Sequence, residues 1–142
     1  MGLVLDASAV LAWFVRRTDR REAAVADRIL TNVEREEALV AALWFTEVIN
    51  SLLVAERRKL ADSRTTAHFL NELAAMPIAE DSTRPRILQD DVFALGRKYR
   101  LSAYDASYLE LALRSRRPLA TFDRHLAEAV RKAGGRVFGD RP

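Results

Sequence analysis

The sequence predicts an α/β fold: a mostly parallel central sheet with helices covering both faces. Three observations lead there. Short apolar runs at residues 3–5, 38–42, 76–79 and 119–122 alternate with longer stretches of helical period, the order that builds βαβ units rather than a sandwich or a bundle. The length, 142 residues, matches one domain of ordinary size, so residues 1–142 are expected to form a single unit. A composition that is 49% hydrophobic and 30% charged fills a core and coats it, and it argues against disorder. No linker, repeat or low-complexity tract interrupts the chain.

Taken in order, Leu3-Val4-Leu5 reads as a buried strand that ends at Asp6-Ala7-Ser8. Residues 9–17 follow as a helix with Val10, Trp13 and Phe14 on one stripe, and 20–33 as another through Ala24, Ile29 and Leu30. Residues 38–42 are the second strand. A helix from Trp44 to Arg58 comes next, then one capped by Asp62 or Ser63 and running to Ala75. Residues 76–79 make a third strand and 80–83 a turn. Pro85 suits the first turn of a helix reaching Tyr99, and Ser102-Ala103-Tyr104-Asp105 opens a helix as a capping-box variant that ends near Arg117-Pro118. Residues 119–122 form a strand, 123–133 a helix stopped by Gly134-Gly135, and 136–138 a last strand. The helix-rich middle, 44–99, departs from strict strand–helix alternation.

Composition removes several chemistries. Cysteine is absent, so disulfide scaffolds, thiolate metal sites and Cys nucleophiles are excluded. Only His68 and His125 are present, too few for a His-rich zinc site; each reads as a surface or packing residue. No Walker loop, G-x-G-x-x-G or G-x-S-x-G occurs. The balance of 23 basic against 20 acidic residues permits a polyanionic partner without requiring one. The basic residues are arginines apart from Lys59, Lys98 and Lys132, and the guanidinium fork suits phosphate oxygens. The longest apolar runs fall short of the ~18–20 residues of a membrane helix. Asp6 breaks the only stretch resembling a signal peptide, and the cytoplasm is the expected location.

The acids carry the most information. Ligands of open parallel sheets bind beyond the carboxyl ends of the strands, where chain order puts Asp6 and Asp123, with Glu47 in the first turns of the helix after the second strand. Topology does not place Asp105, which follows a helix. Each acid also has an ordinary structural role available: Asp6 and Asp123 as N-caps, Asp105 as a capping-box acid, Glu47 as a solvated helix position. Acids converging on one sheet edge raise one another's pKa unless a cation lies among them. Oxygen-only donors suit Mg²⁺ or Mn²⁺, ions that activate water and stabilise the leaving oxygen of a phosphodiester.

The runs Leu3-Val-Leu-Asp6-Ala-Ser8-Ala-Val10, Thr46-Glu47-Val-Ile-Asn50, Leu101-Ser-Ala-Tyr-Asp105-Ala-Ser107-Tyr108 and Leu119-Ala-Thr121-Phe-Asp123 together resemble PIN-domain ribonucleases. The branch they look most like is the VapC-type toxins of bacterial toxin–antitoxin pairs. The resemblance spans the chain in order, and the segment around Asp105 is its most specific piece. It implies a PIN-like domain with a sheet of four or five parallel strands. It implies that Asp6, Glu47, Asp105 and Asp123 form an acidic pocket for Mg²⁺ or Mn²⁺, with Ser8 or Thr121 orienting a carboxylate or a bound water and Asn50 as a polar neighbour. It further implies RNA cleavage, homodimers and inhibition by a VapB-like antitoxin, through which alone DNA would be reached. Trp13-Phe14 is bulkier than the pattern needs, and Trp13, Phe14 and Trp44 are candidates for the antitoxin contact as well as for core.

Two other classes compete. A haloacid dehalogenase-like phosphatase also begins strand–Asp but wants a second Asp where Ser8 stands, and a lysine after a strand, where none of the three falls. The other is a non-enzymatic reading, a receiver or a catalytically silent, metal-free interaction domain; a receiver would want adjacent acids after the first strand and a lysine after the last, and this chain offers neither.

Overall fold

A computed structural model describes residues 1–141. The elements are β1 (Val4–Leu5), α1 (Ala7–Phe14), α2 (Arg20–Arg35), β2 (Ala38–Val40), α3 (Trp44–Arg57), α4 (Ser63–Ala74), β3 (Ile78–Glu80), α5 (Pro85–Tyr99), α6 (Ala103–Ser115), β4 (Leu119–Ala120) and α7 (Arg124–Lys132). The four strands form one parallel sheet in the order β3-β2-β1-β4. Val4 pairs with Leu39 on one side and Leu119 on the other, while Ala38, Leu39 and Val40 face Ile78, Ala79 and Glu80. The chain steps outward from β1 to β3 and then returns to the opposite side of β1 for β4. That reversal creates a topological switch point between β1 and β4, the place where a crevice opens at the carboxyl edge of such sheets.

The expected fifth strand, 136–138, is reduced to one parallel bridge between Leu119 and Val137. Leu119 N–H donates to the Arg136 carbonyl and Phe138 N–H to the Leu119 carbonyl, both at 2.8 Å. Gly139, at φ +97°, then turns the chain aside, and Arg131 holds Asp140 through two 2.8 Å bonds. The apolar pattern there reported burial of Val137 correctly, but one buried residue makes no ladder.

Leu3, Val4 and Leu5 are inaccessible to solvent, and the core spreads from them to Trp44, Tyr108, Leu109, Leu119 and Leu126. The first helix differs from the 9–17 expectation. It begins at Ala7 because Asp6 accepts the Ala9 N–H as its N-cap. It ends at Phe14 because no apolar face continues beyond it: Val15 is exposed, and Arg17 turns to pair with Glu22 at 2.8 Å. In α2 the buried face is Ala23, Ala26, Ile29 and Val33, so the stripe is shifted from Ala24 and Leu30. The short side chains of Ala23 and Ala26 let α1 approach, and Trp13 Nε1 donates to the Ala26 carbonyl at 3.1 Å. Asp62, not Ser63, caps α4, accepting from Thr65 N at 2.8 Å.

Trp44 is 1% exposed, which makes it core and removes it from any docking surface. Trp13 and Phe14 are half-buried, and the Phe14 ring meets that of Phe69 at 4.9 Å. At the far edge of the fold α5 buries no residue at all. Among the described residues no helix is long and apolar enough to cross a membrane.

Candidate active site

Asp6 occupies the carboxyl end of β1 and is only 4% exposed. A carboxylate in such a place needs hydrogen bonds to offset lost hydration, and three donors converge on it. Ser8 Oγ and Ala9 N donate to Oδ1 at 2.7 and 3.0 Å, and Thr121 Oγ1 donates to Oδ2. Ser8 Oγ in turn accepts the Phe122 N–H at 2.9 Å, and Thr121 Oγ1 accepts the Asp123 N–H at 3.1 Å. The loops after β1 and β4 are therefore laced together across the switch point by two hydroxyls and one carboxylate. Burial pushes the Asp6 carboxyl up to about 6, against the pull of its Thr121, Ser8 and Ala9 hydrogen bonds and with a further push from Asp105.

The other acids come from three helix starts. Asp123 is exposed and caps α7, its Oδ1 accepting from Leu126 N at 2.8 Å. Asp105 is half-buried in the first turn of α6, a helix capped by Ser102, whose Oγ accepts the Asp105 N–H at 3.1 Å. Ser102, Asp6 and Asp123 are N-caps as expected, and an acidic N-cap uses one carboxylate oxygen and leaves lone pairs over. Glu47 lies half-buried in the first turn of α3 and accepts a 2.6 Å hydrogen bond from the Tyr108 hydroxyl.

Asp105 is the electrostatic centre of the group. Burial lifts its carboxyl first, then the charge of Asp123, while His125 pulls it down. Glu47 is raised by burial, lowered by its Tyr108 bond and raised again by Asp105. Thus Asp6 and Glu47 each sense Asp105, and Asp105 senses Asp123. Asn50 lies exposed on α3, one turn after Glu47, and joins none of these hydrogen bonds. Tyr108 stands in the sequence as a polar early residue of the Asp105 helix and part of its motif, with no role attached; the structure gives it one, as the hydroxyl that bonds Glu47 across 61 positions.

Among the described residues no three Asp, Glu or His side chains close tightly enough to enclose an ion unaided. The donor set still fits a hard divalent cation: Mg²⁺ keeps several waters and needs only one or two carboxylates. Asp6 has three hydrogen bonds on roughly four acceptor positions, which leaves one lone pair for such an ion.

Residues 3–132 match the family described as PIN domain. The chain belongs to the PIN-domain family. This PIN domain is 34% identical over 130 residues to Ribonuclease VapC3 of Pyrobaculum aerophilum, covering 90% of this chain and 94% of that protein. It is also similar to the crystal structure of PAE2754 from Pyrobaculum aerophilum, with a TM-score of 0.66 and 27% identity over 91% of this chain and 79% of the other. The four-stranded parallel sheet and the helices around it are the PIN-like α/β fold that the sequence predicts.

Proposed function

We propose that this PIN domain is a Mg²⁺- or Mn²⁺-dependent endoribonuclease and the toxin of a toxin–antitoxin pair, working in the cytoplasm as a single domain over residues 1–142. The observation that carries the reading is Asp6: a buried carboxylate at the switch point, hydrogen-bonded on both oxygens with one lone pair to spare, and raised by burial and by Asp105 together. The identity to a protein named as a ribonuclease supports the substrate class.

In this reading Asp6, Glu47, Asp105 and Asp123 hold the cation, which when bound supplies the positive charge that activates water and stabilises the leaving oxygen of a phosphodiester. Ser8 and Thr121 keep the Asp6 carboxylate in one orientation by donating to both of its oxygens. Asn50, on the exposed side of α3, is available to the substrate backbone. An acidic crevice by itself repels RNA, and basic residues flank it. Arg17 stacks 4.8 Å over the Phe122 ring beside Asp123. Asp19, which caps α2, lies within electrostatic reach of both Arg21 and Arg124, so the basic start of α2 adjoins the start of α7. RNA affinity should accordingly fall steeply with salt, by counterion release.

Ser8 stands where a haloacid dehalogenase-like phosphatase needs its second Asp, and here its hydroxyl bridges Asp6 and the Phe122 amide. That leaves no acid–base pair for phosphatase chemistry.

Two surfaces support the partners. A groove of about 900 Å³ runs between α5 and α6, lined by Leu88, Val92, Phe93, Leu101 and Tyr104. Phe93 is 58% exposed there, and apolar exposure of this kind marks an interface. We assign it to the second copy in a homodimer. A smaller hollow of about 570 Å³ is lined by Phe14, Val15 and Leu60 beside Glu56, Lys59 and Asp62, and we assign it to mixed apolar and charged residues of a VapB-like antitoxin. The deciding experiment is cleavage of a mixed RNA pool by the purified protein with Mn²⁺, with excess chelator, and by Asp105→Asn. Cleavage that needs the metal and vanishes in the variant supports the reading. Cleavage that persists in chelator, or in Asp105→Asn at the wild-type rate, overturns it.

A further inference from the structure

Glu47 differs from the other three acids in how it is held. Asp6, Asp105 and Asp123 are short side chains, two of them pinned as N-caps. Glu47 carries one more rotatable bond, and its helix opens at Leu43 with no side-chain cap. Its Oε2 has no hydrogen-bond partner among the described residues; Oε1 has one, the Tyr108 hydroxyl at 2.6 Å. A long carboxylate that also senses the charge of Asp105 would, without that bond, sample rotamers leading away from the crevice.

Tyr108 is built to prevent this. Its ring is 2% exposed and packed in the core, so its two side-chain torsions are fixed by neighbours. A phenol is a hydroxyl donor at neutral pH, and this one lies 2.6 Å from Glu47 Oε1. Asp105 and Tyr108 are three residues apart on α6 and share a face of that helix. One rigid helix therefore supplies one acid directly and reaches across 61 positions of sequence to orient another.

We propose that Tyr108 is a positioning residue: its hydroxyl fixes the Glu47 carboxylate relative to Asp105, so that α3 and α6 present their acids together to a divalent cation. This rests on the metal-dependent reading above. Tyr108 itself touches neither cation nor RNA.

The test is Mn²⁺ binding by titration calorimetry at fixed pH on the full-length protein, for wild type, Tyr108→Phe, Glu47→Gln and the double variant, alongside cleavage kinetics. Tyr108→Phe keeps the ring, so the metal-free melting temperature should stay within a degree or two of wild type. Mn²⁺ affinity should fall about five- to tenfold and kcat in proportion, with KM for RNA unchanged. Glu47→Gln should lose more, and adding Tyr108→Phe to it should cost nothing further, since the hydroxyl acts through Glu47. Wild-type Mn²⁺ affinity in Tyr108→Phe, or a full additive loss in the double variant, overturns the proposal. If wild type binds Mn²⁺ and Asp105→Asn is inactive while Tyr108→Phe is normal, only this inference falls. A wild-type protein that binds no Mn²⁺ removes the metal-dependent reading and this inference with it.

Discussion

Replacing Asp6 with Asn should stabilise the metal-free protein while abolishing its response to metal. The Asp6 carboxyl ionises at about 6 in the fold against 3.8 when unfolded. A folded-state pKa above the unfolded one means that the native state binds more protons between those values, so stability falls as pH rises from about 4 to about 6 and stays low above. The shift corresponds to about 3 kcal/mol of destabilisation at neutral pH. Asn removes that charge and caps α1 about as well, but it loses an acceptor for the Thr121 hydroxyl, at about 1 kcal/mol. The net gain is about 1–2 kcal/mol at pH 7, or roughly 3–6 °C in a domain of this size. The assay is thermal unfolding by circular dichroism in chelator at pH 4.5, 6 and 7.5, repeated with Mn²⁺. The variant's advantage should shrink toward acid pH, and Mn²⁺ should raise the wild-type melting temperature and leave the variant's unchanged. A variant less stable than wild type at pH 7.5, or one whose advantage does not vary with pH, would show that the Asp6 charge does not destabilise the fold.

Thr121→Val deletes the hydroxyl that donates to Asp6 and accepts from Asp123 N–H. It should cost about 1–3 kcal/mol in urea unfolding at neutral pH and less below pH 5, where Asp6 is protonated. Arg114 joins the buried Glu110 at 2.6 Å to Asp81 at 2.6 Å and so ties the segment after β3 to α6. Arg114→Met should destabilise by about 2–3 kcal/mol in the same measurement, because Glu110 is left buried without its cation. Phe93→Asp should leave the melting temperature near wild type, since the side chain is exposed, and in sedimentation velocity it should abolish the homodimer proposed above.

Legibility in the sequence tracked how local the physics is. Asp6 and Asp123 could be placed because a short apolar run that stops at an acid marks both a strand and its carboxyl end. The helix starts at Asp62 and Ser102 follow from single side chains closing on amides three residues ahead. Asp105 was beyond topology, since α6 follows another helix, and only the motif around it drew attention. The Tyr108–Glu47 bond joins residues 61 apart and has no local trace. Trp44 could not be divided between core and surface by pattern alone, because an aromatic at a helix start serves either. The same holds for the strand at 136–138: hydrophobicity reports that Val137 is buried, not whether its neighbours find a ladder.

The proposed function requires Asp6, Glu47, Asp105 and Asp123 to share one cation at the switch point of the sheet. Mn²⁺ added substoichiometrically to ¹⁵N-labelled protein broadens amide signals near the ion and spares distant ones. The signals of Asp6, Glu47, Asp105 and Asp123 should fade together, with those of Asp90 and Asp91, in the middle of α5, unaffected. Broadening centred on Asp90 and Asp91, or fading of one acid without the other three, would rule out a shared cation site.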